Sequence, residues 1–198
     1  MPTLVVPFRS EEGKSRLGAL PGKDRAALAC AMLEDVIEAC TAVGATYVVA
    51  REGTSTPDAT LVPDPGGGQG AAVRAGLAFA GLETGSSGPY LVVNADIPCV
   101  TARDLLALAG AVPDGGLAYA PAADGTTNAL GLASPDLFVP VYGPGSAARF
   151  AALGPSRAVE APNLVDDVDT VSDLERLRQR LGPRTRAVLA SLRLGAAA

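Results

Sequence analysis

Short apolar runs recur along the chain, and each ends near glycine, proline, asparagine or aspartate. Such runs, rich in valine, leucine and isoleucine, are typical of strands buried on both faces of a sheet. The pattern predicts strands at residues 4–8, 47–50, 61–62, 90–93, 117–120 and 129–133.

Between these runs, apolar residues recur at helical spacing. The clearest stripe ends before Gly44 and consists of Ala29, Met32, Leu33, Val36, Ile37 and Cys40. Further helices are predicted over residues 71–82, 102–109 with Thr101 as N-cap, 146–153, 171–181 and 183–192. Because strands and helices alternate, we expect an α/β fold whose mostly parallel sheet is covered by helices on both faces.

A ligand crevice is expected outside the carboxyl ends of the parallel strands, where such sheets bind their ligands. Three loops that follow predicted strands would lie at that edge: residues 9–23, 63–70 and 94–100. They are therefore the first places to look for functional side chains.

The composition of the chain limits the partners it can bind and the reactions it can catalyse. The 198 residues suit one domain, residues 1–198, and a net charge of −5 is the wrong sign for binding a nucleic-acid duplex. The chain has no histidine, which excludes Ser-His-Asp and Cys-His nucleophilic schemes and leaves carboxylates, lysine, arginine and backbone groups. No apolar run approaches the roughly 20 residues of a membrane span. We expect a cytoplasmic protein with no membrane or nucleic-acid partner.

The first loop concentrates positive charge in an otherwise acidic chain, with Arg9, Lys14, Arg16 and Lys23. Residues 13–15 match the tail of a phosphate-binding P-loop, but Phe8 stands where that motif needs its first glycine. These cations could clamp a triphosphate without that motif. A solvated charged loop is the alternative.

The second loop is rich in glycine. Gly66, Gly68 and Ala71 fit the G-x-G-x-x-[GA] pattern of dinucleotide sites, although no acidic residue ends a strand about 20 residues further on. Glycines also let the backbone approach a flat base or ribose. An ordinary glycine-rich turn is the third interpretation.

Three aspartates are the strongest metal-ligand candidates. Asp96 follows a buried strand, while Asp167 and Asp169 are two residues apart just before a helix, so in an extended chain they point the same way. Mg²⁺ is held by carboxylates and phosphate oxygens and needs no histidine. A strand-end aspartate is also common as a turn or cap residue, and for Asp166 and Asp173 we expect helix-start capping.

The segment Gly143-Pro144-Gly145-Ser146 opens a predicted helix. Backbone N–H groups and a serine hydroxyl at such a position can bind an anion. The alternative is a loop in which Ser146 is simply the N-cap.

In their order along nearly the whole chain, these motifs resemble the guanylyltransferases that activate a small phospho-acid in coenzyme F-420 biosynthesis, the phosphoenolpyruvate and 2-phospho-L-lactate guanylyltransferases. The matching stretches are residues 6–7, 14–17, 28–35, 64–68, 94–98, 127–130, 143–146 and 167–170. Two departures are Arg9, where the family usually has lysine, and Gln69-Gly70, where it has Leu-Asn.

The resemblance implies a Rossmann-like, three-layer nucleotidyltransferase sandwich with a mostly parallel mixed sheet. It implies GTP and a phospho-acid as substrates, phosphoenolpyruvate favoured over 2-phospho-L-lactate, with Mg²⁺ as cofactor and a downstream transferase of the pathway as a candidate partner. The implied metal ligands are Asp96, Asp167 and Asp169, and the implied catalytic residues are Lys14 and Asp96. The implied nucleotide-binding residues are Pro7, Lys14, Arg16, Gly66, Gly67, Gly68 and Gln69; Thr127, Gly143 and Ser146 would bind the phospho-acid.

Two other readings stay open at this point. Within the same fold, the chain could be a sugar-phosphate nucleotidyltransferase or a molybdenum-cofactor guanylyltransferase, although it lacks their usual G-x-x-x-R-M-G start. From another class, it could be a regulatory module that binds a nucleotide without turnover.

Overall fold

One mixed sheet of seven strands organises the protein. The computed structural model describes residues 1–9, 17, 20–85 and 88–192. The strands are β1 (Thr3–Pro7), β2 (Ala45–Ala50), β3 (Thr60–Pro63), β4 (Tyr90–Val93), β5 (Leu117–Pro121), β6 (Thr127–Leu132) and β7 (Ser156–Ala158). Their order in the sheet is β3-β2-β1-β4-β6-β5-β7.

The sheet is mostly parallel, as predicted. β1 pairs in parallel with both β2 and β4, and β3 extends the parallel half beyond β2. β6 is antiparallel to both of its neighbours, and β7 joins β5 in parallel. The chain moves from β1 to one side through β2 and β3, then returns to β4 on the other side, so a crevice opens between the carboxyl ends of β1 and β4.

Helices cover both faces of the sheet. They are α1 (Gly22–Thr41), α2 (Gln69–Thr84), α3 (Ala102–Ala111), α4 (Ser146–Ala151), α5 (Pro162–Val165), α6 (Val171–Leu177) and α7 (Pro183–Ser191). Within β1, Leu4 and Val6 pack into the core on the α1 and α3 side, while Val5 packs into the core on the α2 side. This alternation places apolar layers on both faces and confirms the predicted α/β architecture.

The last helix is attached to α1 by a buried carboxylate. Asp35 of α1 accepts hydrogen bonds from the backbone N–H groups of Arg184 (3.0 Å) and Thr185 (2.8 Å) in the first turn of α7. The Arg184 side chain pairs with Glu34 and Glu38 on the same face of α1. Asp35 therefore supplies the cap that α7 lacks at its own N-cap, Gly182.

Several predicted boundaries were wrong. β6 begins at Thr127, not at residue 129, and α6 ends at Leu177, not at residue 181. The helix α1 begins at Gly22, inside the predicted loop 9–23. The pattern also missed α5 and β7, the latter because its three residues are all exposed and form no apolar run.

Within the described ranges, none of the helices combines the length and apolar character needed to cross a bilayer.

Candidate active site

A cavity of about 310 Å³ occupies the crevice between the ends of β1 and β4. Its wall combines the end of β1 with the loop after β4, one face of α1 and the start of α2. The lining residues are Pro7, Phe8, Arg9, Ala29, Met32, Gln69, Asn94, Ala95, Asp96 and Asp169. Each of the three loops expected at this edge of the sheet contributes a lining residue to this cavity: Arg9, Gln69 and Asp96. The strand order brings the three loops together there.

Asp96, Asp167 and Asp169 form an acidic cluster at this cavity. One carboxylate oxygen of each lies within 4.8 Å of the others, and all three residues are half-buried. Three hard oxygen donors at this separation fit a divalent cation such as Mg²⁺. The juxtaposition of these three aspartates agrees with the sequence prediction, although Asp96 is far from the other two in the chain.

Backbone pairing and side-chain alternation bring the cluster together. The N–H of Val168 donates to the carbonyl of Asp96 at 2.9 Å. The Val168 side chain is fully buried among apolar residues of α1, α6 and α7. Because side chains alternate in an extended segment, burying Val168 turns Asp167 and Asp169 to the opposite side.

The neighbouring aspartates are used differently. Asp173 caps α6 in a reciprocal capping box with Thr170, as predicted. Asp166 does not cap a helix start, which corrects the prediction; it accepts hydrogen bonds from the Arg176 and Arg180 guanidinium groups. Burial alone would raise the pKa of both carboxyl groups. Hydrogen bonds from Arg176 and Arg180 to Asp166, and from Thr170 and Arg176 to Asp173, hold each pKa below its usual value.

A chain of polar side chains runs from the cavity to the segment after β6. The Gln69 amide donates to Asn94 Oδ1 at 2.8 Å, and the Asn94 amide donates to the Thr127 carbonyl at 3.2 Å. Ser146 Oγ donates to Thr127 Oγ1 at 3.1 Å, with both residues buried. The alternative in which Ser146 is the N-cap is wrong, because Gly145 occupies the N-cap and the serine hydroxyl donates to Thr127 of β6.

A second, more open groove of about 790 Å³ adjoins the cavity at Gln69, which lines both. Its other walls include Gly67 and Arg74 on one side and Tyr142 and Gly143 on the other. Gly66, Gly67 and Gly68 have φ of +77°, +81° and +95°, a backbone region that favours glycine. The loop before α2 thus depends on its glycines for its shape.

The predicted site residues do not all lie in the same place. Pro7, Gln69, Asp96 and Asp169 line the cavity, with Asp167 beside them. Gly67 and Gly143 line the groove, whereas Thr127 and Ser146 are buried and line neither the groove nor the cavity. Gly66 and Gly68 are the neighbours of Gly67 in the chain and are not among the lining residues of the groove. Lys14 and Arg16 lie outside the described residues, so their assigned roles stay predictions.

Sequence reasoning assigned no role to Asn94, which links Gln69 to Thr127. Its position directly after the buried strand β4 was the available signal, since polar residues at strand ends face the ligand edge. Ala29 and Met32 also line the cavity, but the sequence shows them only as members of an apolar helix stripe. Cys99 lies close by in the chain, and burial raises the pKa of its thiol to about 11, so it is not a thiolate at neutral pH.

The sequence is similar to those of known nucleotidyltransferases. Residues 15–191 match the MobA-like NTP transferase domain. Phosphoenolpyruvate guanylyltransferase from Salinispora arenicola is 38% identical, over 92% of this chain and 91% of that protein. 2-Phospho-L-lactate guanylyltransferase from Methanosphaerula palustris is 32% identical, over 87% of this chain and 82% of that protein.

Solved structures show the same fold. A Desulfovibrio desulfuricans protein assigned to the nucleotide-diphospho-sugar transferases superposes with a TM-score of 0.73 at 18% identity, covering 96% of this chain and 94% of its own. Given the family model and the guanylyltransferase relatives, the chain belongs to the MobA-like NTP transferase family and, within it, to the guanylyltransferases.

Proposed function

We propose that this enzyme transfers GMP from GTP to the phosphate of a small phospho-acid, with phosphoenolpyruvate favoured and 2-phospho-L-lactate as the second acceptor. The observation that carries the proposal is the acidic cluster at the mouth of the crevice between β1 and β4. The names of the relatives support these acceptors. By the same argument the reaction belongs to coenzyme F-420 biosynthesis, with a downstream transferase as the partner that takes the product.

The reaction needs no general base. A phosphate oxygen of the acid forms a bond to the α-phosphorus of GTP, and the bond from that phosphorus to the bridging oxygen of the β-phosphate breaks. The bond electrons leave with pyrophosphate. A phosphate ester has a second pKa near 6, so at neutral pH the attacking oxygen is already anionic, which suits a chain without histidine.

The protein's task is then to align two anions and lower their repulsion. Asp96, Asp167 and Asp169 have the donor chemistry to hold Mg²⁺, which when bound would neutralise charge on the phosphates of both substrates. Lys14 and Arg16, in the loop after β1, are assigned to the triphosphate, Lys14 as the cation for the departing pyrophosphate.

Nucleotide recognition is assigned to the cavity side of the crevice. Pro7 and Gln69 line that cavity, and the glycines 66–68 let the backbone approach the base or ribose. The Gln69 amide, held by Asn94, takes the place of the asparagine that the family usually carries one position later. Thr127, Gly143 and Ser146 are assigned to the phospho-acid.

One set of incubations tests the proposal. The enzyme is mixed with GTP, Mg²⁺ and one acid at a time: phosphoenolpyruvate, 2-phospho-L-lactate or 3-phosphoglycerate. Pyrophosphate release and the mass of the GMP-linked acid are measured, with ATP as the control nucleotide and chelator as the control for metal. We expect product with GTP and phosphoenolpyruvate and its loss with chelator. Binding of GTP without pyrophosphate release from any acid would contradict the proposal and favour a regulatory module.

A further inference from the structure

The segment from Val141 to Pro144 is wrapped around the side chain of Arg149. Arg149 Nε donates to the carbonyl of Val141 at 3.1 Å, and Nη1 donates to that of Pro144 at 2.7 Å. Nη2 donates to the carbonyls of Tyr142 at 3.1 Å and Gly143 at 3.3 Å. One guanidinium group thus holds four consecutive backbone carbonyls.

The glycines of this segment match that arrangement. Gly143 and Gly145 have φ of +104° and +71°, where a side chain would be strained. A Cβ built on either would contact the Arg149 guanidinium, at 3.8 Å for Gly143 and 3.6 Å for Gly145. The turn therefore follows the outline of the guanidinium closely, and its shape depends on that group.

Two further hydrogen bonds fix the end of the segment on β6 and the turn before it. Ser146 Oγ donates to Thr127 Oγ1, and the N–H of Ala147 donates to the carbonyl of Gly125 at 3.2 Å. These bonds fix α4, which carries Arg149, while Gly143 lies further out, at the wall of the groove. The N–H of Ser146 donates to the carbonyl of Gly143 at 2.9 Å, and Arg149 adds its side-chain hydrogen bonds to this backbone link between α4 and the outer part of the segment.

We propose that Arg149 is a positioning residue for the phospho-acid: by holding the carbonyls of residues 141–144 on its own side, it sets Gly143 in place relative to Thr127 and Ser146. The inference rests on the proposed function, because that function assigns these three residues to the acid. Arg149 itself does not contact the substrate. Its planar fork of donors is what the segment needs, so lysine, a point charge with three donors on one atom, cannot replace it.

The test compares Arg149→Lys and Arg149→Ala with the wild-type enzyme. The matched control is Arg157→Lys, which changes an exposed arginine on β7 in the same way. Initial rates of pyrophosphate release are measured against phosphoenolpyruvate and against GTP, with thermal unfolding recorded for every variant. We expect Arg149→Lys to raise KM for the acid about tenfold or more, since small misplacements of binding groups have effects of that size, while KM for GTP stays within twofold.

Rescue separates positioning from general loss of structure. Because Arg149 is exposed, methylguanidinium added to Arg149→Ala can reach the vacated place between the carbonyls. We expect it to lower KM for the acid, and methylammonium at the same concentration not to do so. If wild type is active and Arg149→Lys has the same KM values as Arg157→Lys, the inference is overturned and the proposed function stands. If wild type forms no product with any acid, the proposed function falls, and the inference with it.

Discussion

Asp166 and Asp167 are neighbours in the chain, yet their carboxylates belong to two acidic regions that are built differently. Asp166 and Asp173 face the guanidinium groups of Arg176 and Arg180, which we call the arginine-paired region. Asp167 instead joins Asp96 and Asp169 in the acidic cluster, where carboxylate oxygens approach within 4.8 Å of one another. One peptide bond separates a carboxylate paired with arginine from one grouped with other carboxylates.

The two regions contribute differently to stability and to binding. In the arginine-paired region, hydrogen bonds from arginine, and at Asp173 also from Thr170, outweigh burial and keep the pKa of each carboxyl group low, so ionisation favours the folded state. In the acidic cluster, each carboxylate raises the electrostatic energy of the other two, which favours binding of a cation. The first region therefore stabilises the fold, and the second region brings together the oxygen donors that a divalent cation binds.

The largest expected effect comes from breaking the acidic cluster. Asp96→Asn removes one anionic donor and should lower the rate of pyrophosphate release by about 100-fold or more, as is typical when one charge-stabilising group is lost. The fold should stay intact, which the thermal midpoint without metal measures. Added Mg²⁺ should raise the midpoint of the wild type more than that of the variant. Near-normal turnover would remove Asp96 from the mechanism.

Asp35 extends the comparison to a carboxylate whose partners are backbone N–H groups. Asp35→Ala leaves the first turn of α7 without its acceptor and should lower the free energy of unfolding by about 2 kcal/mol. Asp35→Asn keeps one oxygen acceptor and should lose less. Urea unfolding followed by circular dichroism measures both. Equal stability of Asp35→Ala and wild type would show that the hydrogen bonds to Asp35 do not hold α7 in place.

The arginine-paired region is tested best by a matched pair of substitutions one residue apart. Asp166→Asn should lower the free energy of unfolding by about 1 kcal/mol, the size expected for a small network of partly exposed ion pairs, and should leave turnover close to that of the wild type. Asp167→Asn should lower turnover strongly and leave the free energy of unfolding close to that of the wild type. If both variants lose activity alike, the two regions do not differ as the geometry indicates.

Much of the fold and part of the site could be predicted from local patterns. The apolar run at residues 90–93 matches β4, and Thr101 caps α3 as its position before a helix stripe indicated. Asp96 could be placed at the ligand edge because it follows a strand, and Asp167 and Asp169 were expected to share a side because they are two residues apart. The residue pattern therefore suggested the metal site, and the family resemblance implied its three ligands.

The remaining features depend on long-range contacts that leave no local pattern. Thr127 looks like a turn residue in sequence, yet it is buried at the start of β6, where its hydroxyl accepts a hydrogen bond from Ser146. Asp35 looks like one more charge on α1, and only the approach of α7 explains its burial. Arg149 gives no signal at all, since its partners are backbone carbonyls that every residue possesses.

The smallest expected effect is the pH dependence of the difference between wild type and Asp166→Asn. The folded-state pKa of Asp166 lies below its ordinary value of about 3.9. A lowered pKa means that the carboxylate adds stability at pH values above about 4, and that this stability is lost as the pH falls through the folded pKa. The stability difference between the two proteins should thus be constant from pH 7 to about pH 5 and shrink below about pH 4. Urea unfolding at a series of pH values measures it, and a difference that grew on acidification would contradict the arginine pairing.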